Sequence, residues 1–517
     1  MKKIILGALL LTGMSAMAQE TYENANIMAE DLNGTARYVG MGGAMEALGA
    51  DISTIGTNPA GVGMFRKSQA SLTTSVITQP GAPSTDYVDA TKWSFDQAGF
   101  VWSSRMSDTN YLNFGFNYKK SRNYAGILSV QDRLNNASQN KLTAAKGYEG
   151  IFDMDNCYNQ VDYLNENVLG LWDENEGWSY FNGTGYDFQK ETQGYVGEYD
   201  FNISGNVSNS LYLGLTVGIK DVNYDAWTSY YESLTNYEGQ GIGRVHMMDH
   251  RMIDGSGFDM KFGAIWFPVQ GSPFRIGASI ATPTWYNLTT SNYTSMTNGL
   301  DKIYDDHNNC IGYGAYDDGN NDESYDYRMY TPWKFGVSAG HTVANSLALG
   351  ISYEYAGYQH SRSRVIDGVD YYGETSSYND GVMNAHTKAT LKGVSTLKVG
   401  AEYKINPNWA VRAGYNFVTG MYNMDGYRDG ALNSPGTYYS STTDYTNWKA
   451  TNRVTLGLGY AIGGFALDLA YQYTTTSGEF APFMSYYGET SADDCVADAV
   501  KVDNNRHQFM ATLSYKF

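Results

Sequence analysis

The sequence predicts an all-β fold, a transmembrane antiparallel β-barrel of about fourteen strands. Three observations predict it. Apolar and polar residues alternate with period two, segment after segment, up to the last residue, Phe517. Short connections alternate with long ones. Aromatic residues make up 15% of the chain, 45 of them Tyr. Beyond residue 18 no run of about 18 apolar residues appears, which excludes helical spans.

The chain opens with a basic pair, Lys2 and Lys3, then the short apolar run Ile4 to Leu11, then Ala16-Met17-Ala18. That order reads as a cleaved secretory signal with the mature start at Gln19. The apolar run is too short to span a bilayer as a helix. No Cys lies near the cleavage site, so acylation there is not expected.

Residues Thr35 to Gly63 follow, rich in Gly, Ala and Met and low in charge. Gly40-Met41-Gly42-Gly43 does not read as a dinucleotide loop, because Met45 stands where a third Gly or Ala belongs and no strand precedes it. These glycines read instead as places where backbone packs closely or turns with positive φ. Pro59 fixes its own φ and biases Asn58 to extended geometry, and the Asn58 side chain can satisfy turn amides. The corner reads equally as a hinge or as the turn into the first strand.

The alternation is clearest at the C-terminus. Phe509, Ala511, Leu513, Tyr515 and Phe517 share one face, and Gln508, Met510, Thr512, Ser514 and Lys516 the other. The pattern recurs in Phe465 to Tyr473, Val454 to Tyr460, Trp409 to Phe417, Leu397 to Tyr403, Leu347 to Tyr355, Trp333 to Ala339, Leu211 to Ile219 and Leu112 to Tyr118. Short turns fall near Ser107–Thr109, Ser208–Asn209, Pro268–Ser272, Thr342–Asn345, Ile405–Pro407 and Ile462–Gly463. Long loops are expected over Asn123–Gly194, Asn223–Gly255, Thr290–Met329, Ser361–Lys388, Asn423–Asn447 and Ser477–Asn505. An even strand count then puts both barrel ends on the short-turn side. A propeller would repeat about every 40 residues, and no such repeat is present.

The formal charge is 35 − 54 = −19. That balance argues against nucleic acid, whose phosphates need clustered Lys and Arg. Lys220, Lys261, Arg275, Lys334, Glu354, Glu402, Arg412 and Asp468 fall on the polar faces and are expected to point into the lumen. Cys157, Cys310 and Cys495 lack metal-site spacing and read as unpaired loop thiols. His246 and His250 are four apart, but Met247 stands where a zinc-protease helix carries Glu. Asp317 to Glu323 lacks the alternating ligands of a Ca²⁺ loop and reads as a solvated acidic loop. No metal, cofactor or catalytic residue is expected, and the chain is not expected to be an enzyme.

The elements Ala36-Arg37-Tyr38, Gly42-Gly43-Ala44 and Asn58-Pro59-Ala60, placed just before a run of strands ending on Phe, resemble the FadL/TodX outer-membrane transporters. Thr35 to Phe65 looks like the branch found in Bacteroidetes. The resemblance implies residues 1–18 as signal peptide, 19–67 as a hatch and 68–517 as the barrel with long extracellular loops. It implies hatch or gating roles for Arg37, Gly40, Gly42, Gly43, Asn58, Pro59, Ala60 and Gly61, and an assembly signal at Tyr515 and Phe517. It also implies passive uptake of hydrophobic small molecules, such as long-chain fatty acids or aromatic hydrocarbons, by a monomer. Its partners would be outer-membrane lipid, lipopolysaccharide and the barrel-assembly machinery. Such transporters release cargo sideways beside a kinked third strand, and Leu112 to Tyr118 carries no Pro or break marking such a kink. A haem-binding receptor, a general diffusion porin and a lipid-modifying barrel enzyme stay open as alternatives.

Overall fold

In the computed structural model, residues 20–83, 85–304, 310–317, 323–369 and 375–517 are described. The expected signal peptide, residues 1–18, lies outside them, as do His307 and residues 318–322 of the acidic loop.

Fourteen strands close into a barrel. They are β1 (Gln69–Thr78), β2 (Thr91–Arg105), β3 (Tyr111–Asn123, resuming as Gly126–Ala137), β4 (Asn182–Val207), β5 (Leu211–Thr235) and β6 (Gly241–Trp266). Next come β7 (Arg275–Ala281, resuming as Trp285–Tyr304), β8 (Glu323–Tyr330, resuming as Lys334–Val343) and β9 (Leu347–Gly357, resuming as Arg362–Val369). The last five are β10 (Gly393–Lys404), β11 (Trp409–Val418), β12 (Tyr445–Ile462), β13 (Phe465–Ala481) and β14 (Val500–Lys516). Every neighbour is antiparallel, and β1 closes on β14 from Gln69↔Lys516 to Thr78↔His507. Closure removes the open edges that a sheet of this size would otherwise expose.

Period two decides what each face meets. Leu72, Phe100, Phe201, Leu213, Phe262, Val337, Ile351, Val399, Leu456, Leu469 and Leu513 are exposed on the outside. Their in-between neighbours, such as Thr73, Asn202, Thr216, Ser352 and Thr512, are buried inside. An apolar band facing out and a polar face within is the arrangement of a membrane barrel. Aromatic pairs mark the short-turn rim of the band, Trp409 with Tyr460 at 4.7 Å and Phe465 with Tyr515 at 4.6 Å. Tyr and Trp suit that level because one end is apolar and the other wet.

The long-loop side departs from the sequence expectation: strand runs into Thr290 to Met329, as Trp285–Tyr304, Cys310–Asp317 and Glu323–Tyr330, and into Ser361 to Lys388, as Arg362–Val369 and Thr375–Asn379. Asn223 to Gly255 is not a loop: β5 and β6 run through it and leave only residues 236–240 as a turn. Asn123 to Gly194 likewise holds the upper parts of β3 and β4. At about 3.3 Å per residue, strands such as the 26-residue β4 and β6 reach roughly 85 Å, far more than the 9–11 residues a membrane needs. Above the membrane neither face must be apolar, so the alternation that marks a strand in lipid fades while the pairing continues.

Proline explains two breaks. β7 is interrupted at Thr282-Pro283-Thr284 and β8 at Thr331-Pro332-Trp333. Proline has no N–H to donate to a ladder. The two breaks lie side by side and bond to each other, Thr331 N to Thr284 O at 3.1 Å and Thr284 N to the Thr331 hydroxyl at 2.8 Å.

Helices α3 (Gln139–Tyr148) and α4 (Gln160–Leu169) cap the long-loop end. Leu142, Val161, Leu164 and Leu169 bury there with Phe188, Phe480 and Phe483. Cys157 and Cys495 are buried free thiols in this region.

Candidate functional site

The residues before β1 lie inside the barrel. Helix α1 (Thr21–Met28) sits highest and packs against α5 (Gly381–Thr390), the helix of a long loop. The Thr21 hydroxyl meets His386 Nδ1 at 3.0 Å and the Thr387 hydroxyl at 2.9 Å. Glu20 and Glu23 pair with Arg428, at 3.7 and 3.3 Å. Both barrel ends are on the short-turn side, as expected, but the segment before β1 climbs from there to the loops at the opposite end. Nothing in the sequence pattern signals that reach, because residues 20–30 carry no clear amphipathic stripe.

Helix α2 (Ala36–Gly40) lies lower, against β11 to β14. Thr35 caps it by accepting from Tyr38 N at 3.1 Å, and Thr35 itself donates to Asp51 at 2.9 Å. Arg37 grips the wall: its Nε and Nη2 donate to the two Glu402 oxygens at 2.8 and 3.0 Å, and Nη1 donates to Ala50 O at 3.0 Å. Glu402 also accepts from Arg412, which reaches Asp468 at 2.7 Å. A bidentate guanidinium–carboxylate contact fixes both angle and distance.

The glycines of this stretch serve close approach. A Cβ on Gly40 would meet the Gly457 Cα at 3.1 Å, and one on Gly42 would meet the Tyr415 nitrogen at 2.8 Å. Gly42 and Gly43 also have φ of +63° and +80°, where an L side chain is strained.

The Asn58-Pro59 corner begins a 3-10 turn, Pro59–Met64, seated on β3 to β6. Asn58 is extended, with φ −125°, and its side chain accepts from Ala60 N at 3.2 Å and donates to Ala264 O at 3.3 Å. A Cβ on Gly263 would lie 2.1 Å from the Asn58 oxygen, so the wall is thinned to receive it. Ala60 is fully buried with Tyr212 and Ile265. Gly61 accepts from Ala50 N at 3.0 Å. Of the two readings of the corner, the turn into the first strand does not fit, since β1 starts only at Gln69.

Tyr515 and Phe517 lie elsewhere, on the outer surface at the short-turn rim. The His246 and His250 rings sit on a strand, each stacked on an aromatic, Tyr231 at 3.8 Å and Trp227 at 4.7 Å.

Between the inner segment and the loops lies a cavity of about 430 Å³. Lys220, Lys334, Lys398, Tyr422, Tyr445 and Trp448 are among its lining residues. The polar-face charges do point inward and pair: Lys220 with Asp259 at 3.6 Å, Lys261 with Asp200 at 2.9 Å, and Lys398 with Glu46 of the inner segment at 2.6 Å. Arg275 instead lies over the Phe267 ring at 5.6 Å.

The third strand does break, but later than Tyr118. β2 and β3 pair only from Gln97↔Lys119 to Arg105↔Tyr111. Beyond Lys119 the strand leaves β2, stops at Asn123, resumes at Gly126 and pairs with β4 alone. Thr91 to Phe95 of β2 thus keep a partner only on the β1 side. Asp31 and Asn33 of the inner segment occupy the break: Asp31 N donates to Ser121 O at 2.8 Å, Asn123 N donates to Asp31 Oδ2 at 3.0 Å, and Asn33 Nδ2 donates to Lys120 O at 3.1 Å. The sequence signal is the polar run Lys119-Lys120-Ser121-Arg122-Asn123, which ends the apolar alternation of the strand.

The closed wall, its apolar band and its aromatic rim define a transmembrane β-barrel of the outer-membrane type, with its own N-terminal segment threaded through the lumen. No family profile and no curated protein matches the chain. Solved structures similar to it include a FadL homologue of Pseudomonas aeruginosa, with 13% identity, 98% of this chain and 100% of that one covered, and a TM-score of 0.48. The toluene transporter TbuX of Ralstonia pickettii has 13% identity, with 94% and 99% covered and a TM-score of 0.46. The toluene transporter TodX of Pseudomonas putida has 13% identity, with 94% and 98% covered and a TM-score of 0.45. At this level of similarity nothing about the chemistry of the chain follows from them.

Proposed function

We propose that the chain is a passive outer-membrane channel for uptake of hydrophobic small molecules, long-chain fatty acids or aromatic hydrocarbons, with residues 19–67 as its hatch. The carrying observation is the occupied lumen. Arg37 and Asn58 tie the inner segment to the wall below, Glu20 and Glu23 tie it above, and the space left is a pocket of about 430 Å³. A pocket of that size suits one small ligand. A filled lumen is at odds with a general diffusion porin.

The sideways route has a physical place. Apolar cargo that left between β2 and β3, where Thr91 to Phe95 lack a partner on one side, would enter the membrane without crossing the rest of the lumen. Side chains of β4 bridge that seam: Glu191 accepts from Val88 N at 2.9 Å, and Gln193 accepts from Lys92 Nζ at 3.2 Å. Transport of this kind needs no catalytic residue, and the reading is of a non-enzymatic monomer.

Uptake of labelled fatty acid and of toluene by a deletion strain, with and without the restored chain, tests the proposal. Restored uptake of either compound is expected. Unchanged uptake of both, with altered permeability to small sugars, supports a porin instead.

A further inference from the structure

The outer wall changes character within one row of residues at the upper edge of the apolar band. Ile219, Phe258, Trp285 and Tyr330 stand in register across β5 to β8, the first three of them exposed. Trp and Tyr mark the level where lipid meets water. Two residues further up each strand the outward row reads Asp221, Ser256, Asn287 and Arg328, and it continues as Arg364 and Asn379. Arg362 stands beside Tyr330 in the row below. The three arginines face out, because their neighbours Tyr327, Met329, Ser363 and Val365 are buried inside. A basic patch on β8 and β9 thus sits at head-group level, on a chain whose formal charge is −19.

The polar partners of Arg328 and Arg364 are neutral, and among the described residues no carboxylate pairs with either. Arg328 donates from Nε to Asn287 Oδ1 at 2.9 Å and from Nη1 to the Ser377 hydroxyl at 3.1 Å. Arg364 donates from Nε to the same hydroxyl at 3.2 Å and from Nη1 to Asn379 Oδ1 at 2.9 Å, and it lies over the Tyr330 ring at 5.3 Å. Ser377 thus draws two guanidiniums together, and like charges side by side repel most strongly at the edge of a low-dielectric membrane. Guanidinium matches phosphate through paired hydrogen bonds, and basic side chains just outside the hydrocarbon attract anionic head groups. We propose that Arg328, Arg362 and Arg364 form a docking site on the outer wall for the phosphorylated head group of a lipopolysaccharide in the surrounding leaflet. Its acyl chains lie on the apolar band directly below, where Trp333, Phe335 and Tyr355 are exposed. Position and charge select this occupant: the patch continues the lipid-facing surface, whereas Asp221 at the same height on β5 repels a phosphate. The site is nearly half-way round the barrel from the β2–β3 seam and does not depend on what crosses the lumen.

Native mass spectrometry of the purified, full-length protein in detergent, titrated with phosphorylated lipid A, with its phosphate-free form and with inorganic phosphate, tests the site. Phosphorylated lipid A is expected to be retained at least about tenfold more tightly than the phosphate-free form, the order of one charge-assisted hydrogen bond. The double change Arg328→Gln and Arg364→Gln should abolish that preference and leave retention of the phosphate-free lipid unchanged, a pattern that a misfolded barrel cannot produce. Arg105→Gln, which changes an exposed arginine paired with Asp108 at the short-turn end, should keep the preference. Equal retention of the two lipids by the unaltered protein, or a preference that survives the double change, overturns the site. Inorganic phosphate that competes at the same concentration as lipid A shows a site for a free anion and overturns the lipid as its occupant.

Discussion

Gly414 of the barrel wall lies directly against Gly42 of the inner segment: a Cβ added to Gly414 would stand 2.2 Å from the Gly42 nitrogen. Backbone meets backbone there, so neither side can yield by turning a side chain. Gly414→Ala is expected to push the segment off the wall at a cost of about 1–3 kcal/mol. Planar-bilayer conductance to small ions should rise, as it should more strongly on deletion of Thr35 to Gly63. Gly430→Ala, whose Cβ would meet nothing within 4 Å, is the control. Conductance that stays at the wild-type level in both Gly414→Ala and the deletion means the segment does not close the lumen.

Arg37 and Glu402 make an asymmetric pair. Arg37→Ala leaves Glu402 still held by Arg412 at 2.6 Å. Glu402→Ala leaves two guanidiniums facing each other, with only Asp468 left to pair with Arg412. The second change is expected to cost about 3 kcal/mol and the first about 1 kcal/mol. The temperature at which the folded band is lost on electrophoresis should fall in that order. The reverse order contradicts the assignment of Glu402 as the shared centre of the network.

The barrel was legible in the sequence because lipid enforces it. Leu456, Leu458, Leu467 and Leu469 must face out, and period two records that demand. Above the membrane the demand ends, and β5 and β6 continue through a stretch that reads as loop. Within the inner segment, Gly42 and Asn58 stood out because turns and close contacts restrict which residue fits. Asp31 did not stand out: its partners Arg122 and Arg453 lie far from it and from each other in sequence, and only closure of the barrel brings them together. The break in β3 was hidden for a related reason. It sits at Tyr124-Ala125, just before Gly126 and with no Pro, and is occupied by Asp31 and Asn33 of the inner segment.

Phe517 sits at the rim beside Tyr515, its ring 6.0 Å away, and its amide donates to Ser68 O at 3.0 Å. That hydrogen bond is kept in Phe517→Ser, so the side chain can be tested alone. Phe517→Ser removes a two-thirds-exposed ring that supports no core. If that ring is an assembly signal, surface levels should fall several-fold while uptake per assembled molecule is unchanged. Normal surface levels would show that the ring serves only as part of the aromatic rim.

Glu232 gives the long-loop cap a pH response. It lies near the far end of β5, well above the apolar band, and is 1% exposed. Its Oε2 accepts from Tyr230 at 2.8 Å and from Gln139 N, the first residue of α3, at 3.2 Å, and no cation pairs with it among the described residues. Burial pushes its carboxyl up to about 7, against an ordinary value near 4.5. The folded cap therefore holds a proton that the opened cap releases. The native state binds more protons between those two values, so stability is fully present below about pH 4.5 and falls as pH rises to about 7, by about 3 kcal/mol in all. Amide exchange over residues 139–148 should accelerate as pH is raised through that window, after correction for the intrinsic rate. Glu232→Gln should flatten the response. A cap that becomes more protected as pH rises through the same window would contradict a neutral Glu232.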